Sequence, residues 1–359
     1  MKQFGILFFI ILVINSLNAQ TKVLKMSATK STDFGVTYFL PKTVLSVQVN
    51  YSKITQKAGP YAKFAEQYLG IKEQSTVSED QVYYTLNKII VESKGAVDND
   101  DSYLIAFKSK TTSPFVYLTE DGLICTINAD YEPESINKNL TATLPASELS
   151  SIASHSVFTE EYLRAGSVSK MAEVAAKQIY KLRDSRTDLL TGNADNAPRD
   201  GEGMKIVLAN LDAQEKALTE LFIGTTNVES VDREFQVEPH SDIDKEVIFR
   251  FSKYYGIVDT DDLSGSPVYI NVKSLENTKK QEIVDSKQKN KESQSIVYNV
   301  PGKAEVEVFN GTSSIYKNTF LIVQFGRKQT LAPSLFDDKK SPVKIYFYPE
   351  IGAIRQIIQ

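Results

Sequence analysis

Apolar residues recur at every second position through most of Phe34 to Asn128, at helical spacing from Val168 to Phe222, and at every second position again beyond Glu234. Side chains alternate faces along a strand but share a face every three or four residues along a helix. This double change of period therefore predicts sheet, then helix, then sheet. The clearest strand is Thr43 to Gln56, with Leu45, Val47, Val49 and Tyr51 on one face and Ser46, Gln48, Asn50 and Ser52 on the other. Leu40-Pro41-Lys42 predicts a break between it and the Phe34–Phe39 run. Gly59-Pro60 opens a short helix at 61–69, closed by Gly70, with Tyr61, Phe64, Ala65, Tyr68 and Leu69 on one face to cap the sheet. Strands resume at Val82–Glu92, Tyr103–Lys108, Phe115–Thr119 and Leu123–Asn128, the last two joined by a hairpin turn whose Gly122 supplies the positive φ.

Val168 to Leu190 repeats apolar residues at helix spacing through Met171, Ala175, Ile179, Leu182 and Leu189, and Met204 to Phe222 does so through Leu208, Leu211 and Leu218. The breaker-rich stretch Thr191–Gly203 joins them, so the two helices are expected to pack antiparallel as a hairpin. After Glu234 the expected strands are Phe235–Val237, Val247–Phe251, Val268–Val272, Val297–Val300, Ala304–Phe309, Phe320–Phe325, Val343–Tyr348 and Ala353–Ile358. Turn signals every 8 to 12 residues or so are those of a β-sandwich. Lys279 to Ser295 is too polar to order itself and reads as a mobile surface loop. A weak internal echo links Ser113-Pro114 through Gly122 to Ile127 with Ser341-Pro342 through Gly352 to Ile357, and convergent hairpin chemistry explains it better than duplication.

The expected fold class is α+β, mostly β: two antiparallel, sandwich-like β-rich lobes separated by a long antiparallel helical hairpin. The boundaries are a signal peptide at 1–19, an N-terminal lobe at 20–150, the hairpin at 151–225 and a C-terminal lobe at 226–359. The signal rests on Lys2, the apolar run Phe4–Ile14 and the polar-to-small stretch ending at Ala19. Eleven apolar residues span only about 16 Å as a helix, too short for a hydrocarbon core of ~30 Å. No later stretch is long and apolar enough to cross a bilayer, so the exported product is expected in the periplasm or at the cell surface, soluble or peripherally attached.

Removing residues 1–19 takes Lys2 alone, leaving 40 Lys+Arg against 45 Asp+Glu, a net charge of −5 (from 41 − 1 against 45). That balance argues against nucleic acid or anionic lipid as partner, since both need a concentrated basic surface. Cys125 is the single cysteine, which rules out an intramolecular disulfide, so core packing must hold the exported chain together.

Catalytic patterns are sparse. Ser167-Val168-Ser169-Lys170 has the spacing of a lysine-activated serine, but the same spacing occurs at Ser27/Lys30, Ser286/Lys289 and Ser314/Lys317. A helix N-cap at Ser167 or Ser169 explains it with less. Cys125 could pair with His155 or His240, yet it sits in the apolar run Leu123–Ile127 where a small buried side chain is the usual occupant. The oxygen-rich turns at Asp98–Asp101, Asn193–Glu202 and Asp259–Asp262 lack a calcium-loop pattern. Glycan platforms usually present tryptophan, and the chain has none. No catalytic residue, cofactor or metal ligand is expected.

The runs Tyr38–Thr43 (YFLPKT), Gly59–Gly70 (GPYAKFAEQYLG), Lys177–Arg186 with Leu189–Gly192, and Gln214–Phe222 resemble an exported Bacteroidetes family of about 350 residues, a domain of unknown function. The resemblance covers nearly the whole mature chain and implies export, length and architecture, with no activity, ligand or catalytic residue. Beside it, Arg183, Asp184, Arg186 and Asp188 crowd the end of the first long helix. Their simplest role is to satisfy the helix terminus and form intrahelical ion pairs; the other is a presented polar surface. The candidate partner surface is Arg183, Arg186, Asp188, Asn193, Asp195, Arg199 and Asp200 at the hairpin tip. The expected function is a non-enzymatic cell-envelope binding or assembly protein, with another envelope protein or self-association as partner. The alternative is a ligand- or glycan-binding protein with a pocket between the lobes.

Overall fold

A computed structural model describes residues 22–25, 35–106, 115–131, 159–195, 198, 200–275, 295–331, 335 and 343–359. The segment expected as a signal peptide and all but the last residue of the expected 279–295 loop lie outside them. The dominant element is an antiparallel ribbon of β2 (Gly35–Lys57, 23 residues) and β3 (Gln81–Ala106, 26 residues), paired from Gly35↔Ala106 to Gln56↔Gln81. At about 3.3 Å per residue it runs roughly 70 Å. The short strand β1 (Lys22–Lys25) borders β3, and β6 (Thr225–Val237) borders β2, giving the order β1-β3-β2-β6.

The break expected at Pro41 is not one: β2 runs straight on, opposite a bulge in β3. Phe39 pairs with Ser102 and Pro41 with Val97, so Asp98–Asp101, expected as a turn, oppose Leu40 alone within β3. Proline cannot donate to a ladder, and the surplus residues absorb the interruption without reversing the chain. Asp101 is buried there, ion-paired with Lys328 and accepting from the Tyr103 hydroxyl at 3.2 Å. Just beyond, β6 ends at Val237 opposite Leu45, and a side chain stands in for the missing strand. Gln324 accepts from the Thr43 N–H at 3.0 Å and donates to its carbonyl at 2.7 Å.

A second sheet, ordered β11-β10-β9-β7-β8, lies over the middle of the ribbon. It comprises β7 (Ile243–Ser252), β8 (Gly256–Val258), β9 (Ser266–Ser274), β10 (Ile296–Asn310) and β11 (Ser313–Leu331). Here too, strands expected as separate are continuous: Val297–Val300 and Ala304–Phe309 merge across a bulge at Pro301. The irregularity brings backbones close, for a Cβ on Gly326 would collide with the Val300 oxygen. Leu45, Val47 and Val49 of β2 face Phe249, Ile270 and Val306 across the resulting sandwich core.

The third sheet, β13-β12-β5-β4, is built from β4 (Val116–Leu118), β5 (Ile124–Ile127), β12 (Lys344–Tyr348) and β13 (Ala353–Ile358). The two echoing hairpins thus lie side by side, joined where Ile345 pairs with Ile127. Sheets do not follow chain order: β5 from the first part of the sequence bonds β12 from the last. This sheet packs on the other end of the ribbon in a second core that includes Tyr38, Leu40, Ile105, Ile124, Ile127 and Phe347. Tyr38 stacks on Tyr103 at 5.5 Å, and its hydroxyl accepts from the Val297 N–H at 2.9 Å. Burial pushes both phenols well above the ordinary tyrosine range.

If the Gln324 amide substitutes for a strand, Gln324→Ala leaves the Thr43 N–H and C=O unpaired. It should cost about 2 kcal/mol, seen as a lower urea midpoint with the slope unchanged. An unchanged midpoint would contradict that role.

Candidate functional site

At the far end of the ribbon the chain turns from sheet to helix. A 3-10 turn at Ala62–Phe64 leads into α1 (Ala65–Leu69), ended by Gly70 at φ 67°. A short α2 (Glu160–Leu163), absent from the sequence reading, precedes α3 (Val168–Thr191) and α4 (Gly201–Ile223). Each long helix is bounded by its own chemistry. Ser167 accepts from the Lys170 N–H at 3.2 Å, and Gly192 closes α3 at φ 77°. Asp200 accepts from the Gly203 N–H to start α4. Ser167 is therefore a cap, and Lys170 pairs with Glu173 at 3.0 Å rather than activating a nucleophile.

The base of the hairpin is anchored. Ala172, Ala175, Ala176, Ile179 and Leu182 of α3 pack with Leu218 and Phe222 of α4 and with Tyr61 and Ala65. The alanines let backbones approach closely. Tyr61 rests on Phe222 at 5.5 Å and shares a short hydroxyl–hydroxyl contact with Tyr162. The Tyr61 N–H also bonds to the Leu221 carbonyl at 2.8 Å, which ties the loop after β2 to the end of α4.

Among the described residues the outer half has no such support. Beyond Leu182 no residue of α3 is buried, and in α4 none is buried before Leu218. Leu190 and Ile206 are each 62% exposed. Arg183 and Arg186, expected to form intrahelical pairs, instead cross to the neighbouring helix: Arg183 meets Glu215 at 2.6 Å and Arg186 meets Asp212 at 2.9 Å. Among the other candidates, the Asp188 carbonyl accepts from the Asn193 N–H at 2.8 Å, and Asn193 donates to the Thr191 hydroxyl at 3.0 Å. Asp195 is exposed, Asp200 is used in its cap, and Arg199 lies outside the described residues. The structure thus joins Arg183 and Arg186 to α4, and gathers Asp188 and Asn193 at the helix end.

Beside Arg183 opens a groove of about 580 Å³, lined by Arg183, Glu215, Lys216, Thr219 and Thr225 among others. The Thr219 hydroxyl is buried there with no hydrogen-bond partner among the described residues. Sequence reasoning missed Asp212, Glu215 and this groove, because its walls come from separate segments.

Other chemistry is dispersed. Burial pushes the Cys125 thiol up to about 11. His240 is exposed, 3.5 Å from Glu238, and His155 lies outside the described residues. Asp262 accepts from the Ser264 N–H at 2.8 Å, organising its own loop. Among the described residues no three His, Cys, Asp or Glu side chains are grouped to hold a metal, and no helix is long and apolar enough to cross a membrane.

Residues 34–355 match a domain of unknown function, DUF4831. The chain belongs to that family. No curated protein and no solved structure matches it. For this DUF4831 chain, then, function must be argued from its own geometry.

Two outcomes are expected. Phe222→Ala should cost about 3–5 kcal/mol, whereas Arg183→Ala or Arg186→Ala should cost less than about 1 kcal/mol, as exposed ion pairs do; equal losses in chemical denaturation would overturn this division into anchored base and free tip. Cys125 should resist a thiol reagent at pH 8 and react fully on unfolding. Labelling of the folded chain at a free-thiol rate would contradict its burial.

Proposed function

We propose that this chain is an exported, non-enzymatic cell-envelope protein that binds another protein through the projecting end of its helical hairpin. The carrying observation is the unsupported outer half of α3 and α4. With no third layer among the described residues, the two helices leave Leu190 and Ile206 in water beside ion-paired charges, the mix of apolar anchors and polar rim found at protein interfaces. Export rests on the residue 1–19 pattern, and a non-enzymatic role on the sparse catalytic patterns of the sequence.

Site-specific photo-crosslinking tests the reading. A crosslinker at Leu190 should capture one abundant envelope protein in the native host, while one at Thr319, on a distant strand, should not. Leu190→Asp combined with Ile206→Asp should abolish the product without lowering the melting temperature. No product, or equal products from both positions, would sink the idea.

A second reading is favoured by one face of the third sheet. Phe115, Tyr117, Tyr346 and Tyr348 alternate with core residues and so share its outer side; Phe115 is 55% exposed and meets Tyr117 edge-on at 4.9 Å. Such a row could stack flat sugar rings. Screening glycans by thermal shift, with Tyr117→Ala as control, should then reveal a stabilising ligand whose effect the variant removes. A panel without any shift would leave the hairpin reading alone.

A further inference from the structure

The last strand of the first sheet, β6, is an edge strand. All 13 residues of β6 pair with β2, from Leu45↔Val237 to Lys57↔Thr225, without a register shift. Among the described residues its other edge is bordered by no strand. The first six residues are exposed, Val228 to 58%. Thr225 and Thr226, at the start of the strand, line the groove shared with the hairpin. A long, regular, free edge is a template for another strand.

We propose that β6 pairs antiparallel with β6 of a second copy of this chain, centred on Val231, joining two four-stranded sheets into one of eight. A two-fold axis perpendicular to the sheet keeps each side chain on its own face, so directly opposed residues must lie on the same face of the strand. Centred on Val231, Val231 meets its own copy. Glu229 then lies opposite Arg233 of the second copy, and Arg233 opposite the second Glu229. The charges complement each other twice. Moving the centre by one residue to Asp232 sets that carboxylate against itself. Moving it to Arg233 opposes two guanidinium groups and sets Asp232 against Glu234. Centring on Glu229 opposes two carboxylates, and centring on Ser230 matches no charges.

An edge guarded against pairing would carry like charges at mirrored positions. Here the mirrored positions carry opposite charges around an apolar centre. Glu229 already lies 3.6 Å from Lys53 of its own chain, so the second copy's arginine would add to an existing pair.

Sedimentation velocity of the purified chain tests this. The wild type should dimerise, and Glu229→Arg or Arg233→Glu alone should each raise the dissociation constant about tenfold or more, since each turns two attractive cross-strand pairs repulsive. The double variant should regain the wild-type value. Directly opposed antiparallel residues have Cα atoms about 4.5–5.5 Å apart, within disulfide reach. Val231→Cys should therefore link into a covalent dimer on mild oxidation, while the wild type, with Cys125 buried, should not. A monomer at about 100 µM, a dimer insensitive to the single reversals, or a double variant that stays dissociated would each overturn the proposal.

Discussion

Among the described residues, one pair of strands runs through both sheet cores and the loop that joins them enters the helical one. The β2/β3 ribbon contributes Tyr38, Leu40 and Ile105 to the core under the third sheet, and Leu45, Val47 and Val49 to the sandwich; its closing loop carries Tyr61 and Ala65 into the helical base. Backbone pairing across it is unbroken except at two irregularities. Because neighbouring cores share these strands, none can open widely without fraying the ladder that the next depends on. A chain with no disulfide obtains its coherence this way.

The same arrangement sets where partners can reach. Sheets cover the ribbon's middle and one end, while the helices extend from the other. What holds the hairpin lies at its base, where small alanines bring α3 close to α4 and Tyr61 locks against Phe222. Its outer half is held by inter-helix ion pairs and caps instead of a buried core. The β6 edge differs in kind: it is already rigid, being bonded to β2 along its length. The hairpin surface would bind through side chains, whereas the β6 edge offers backbone groups as a preformed template.

Much of this was legible in the sequence, for identifiable reasons. The first long helix followed from local chemistry that the structure retains, with Ser167 as its cap and Gly192 in the breaker-rich stretch that ends it; the second was expected from Met204 but begins at Gly201, because Asp200 caps it. Alternation from Leu45 to Tyr51 marked a half-buried strand. The misreadings arose where distant contacts outweighed local signals. Pro41 says stop, but a bulge at Asp98–Asp101 and the Gln324 amide, some 280 residues away, keep the strand going. Arg183 and Arg186 looked like helix-terminal charges because Glu215 and Asp212 sit on another helix, whose register no spacing rule reveals. The first residues of β6 lacked alternation because both of their faces meet water.

The most direct test of the shared ribbon is native-state hydrogen exchange followed by mass spectrometry across increasing urea. Amides near Tyr38 and those near Val47 should exchange through one common opening that tracks global unfolding, while those between Arg183 and Leu211 exchange through a far smaller local opening. Two separate plateaus for the Tyr38 and Val47 ends of β2 would show that the cores unfold independently, and would contradict the account.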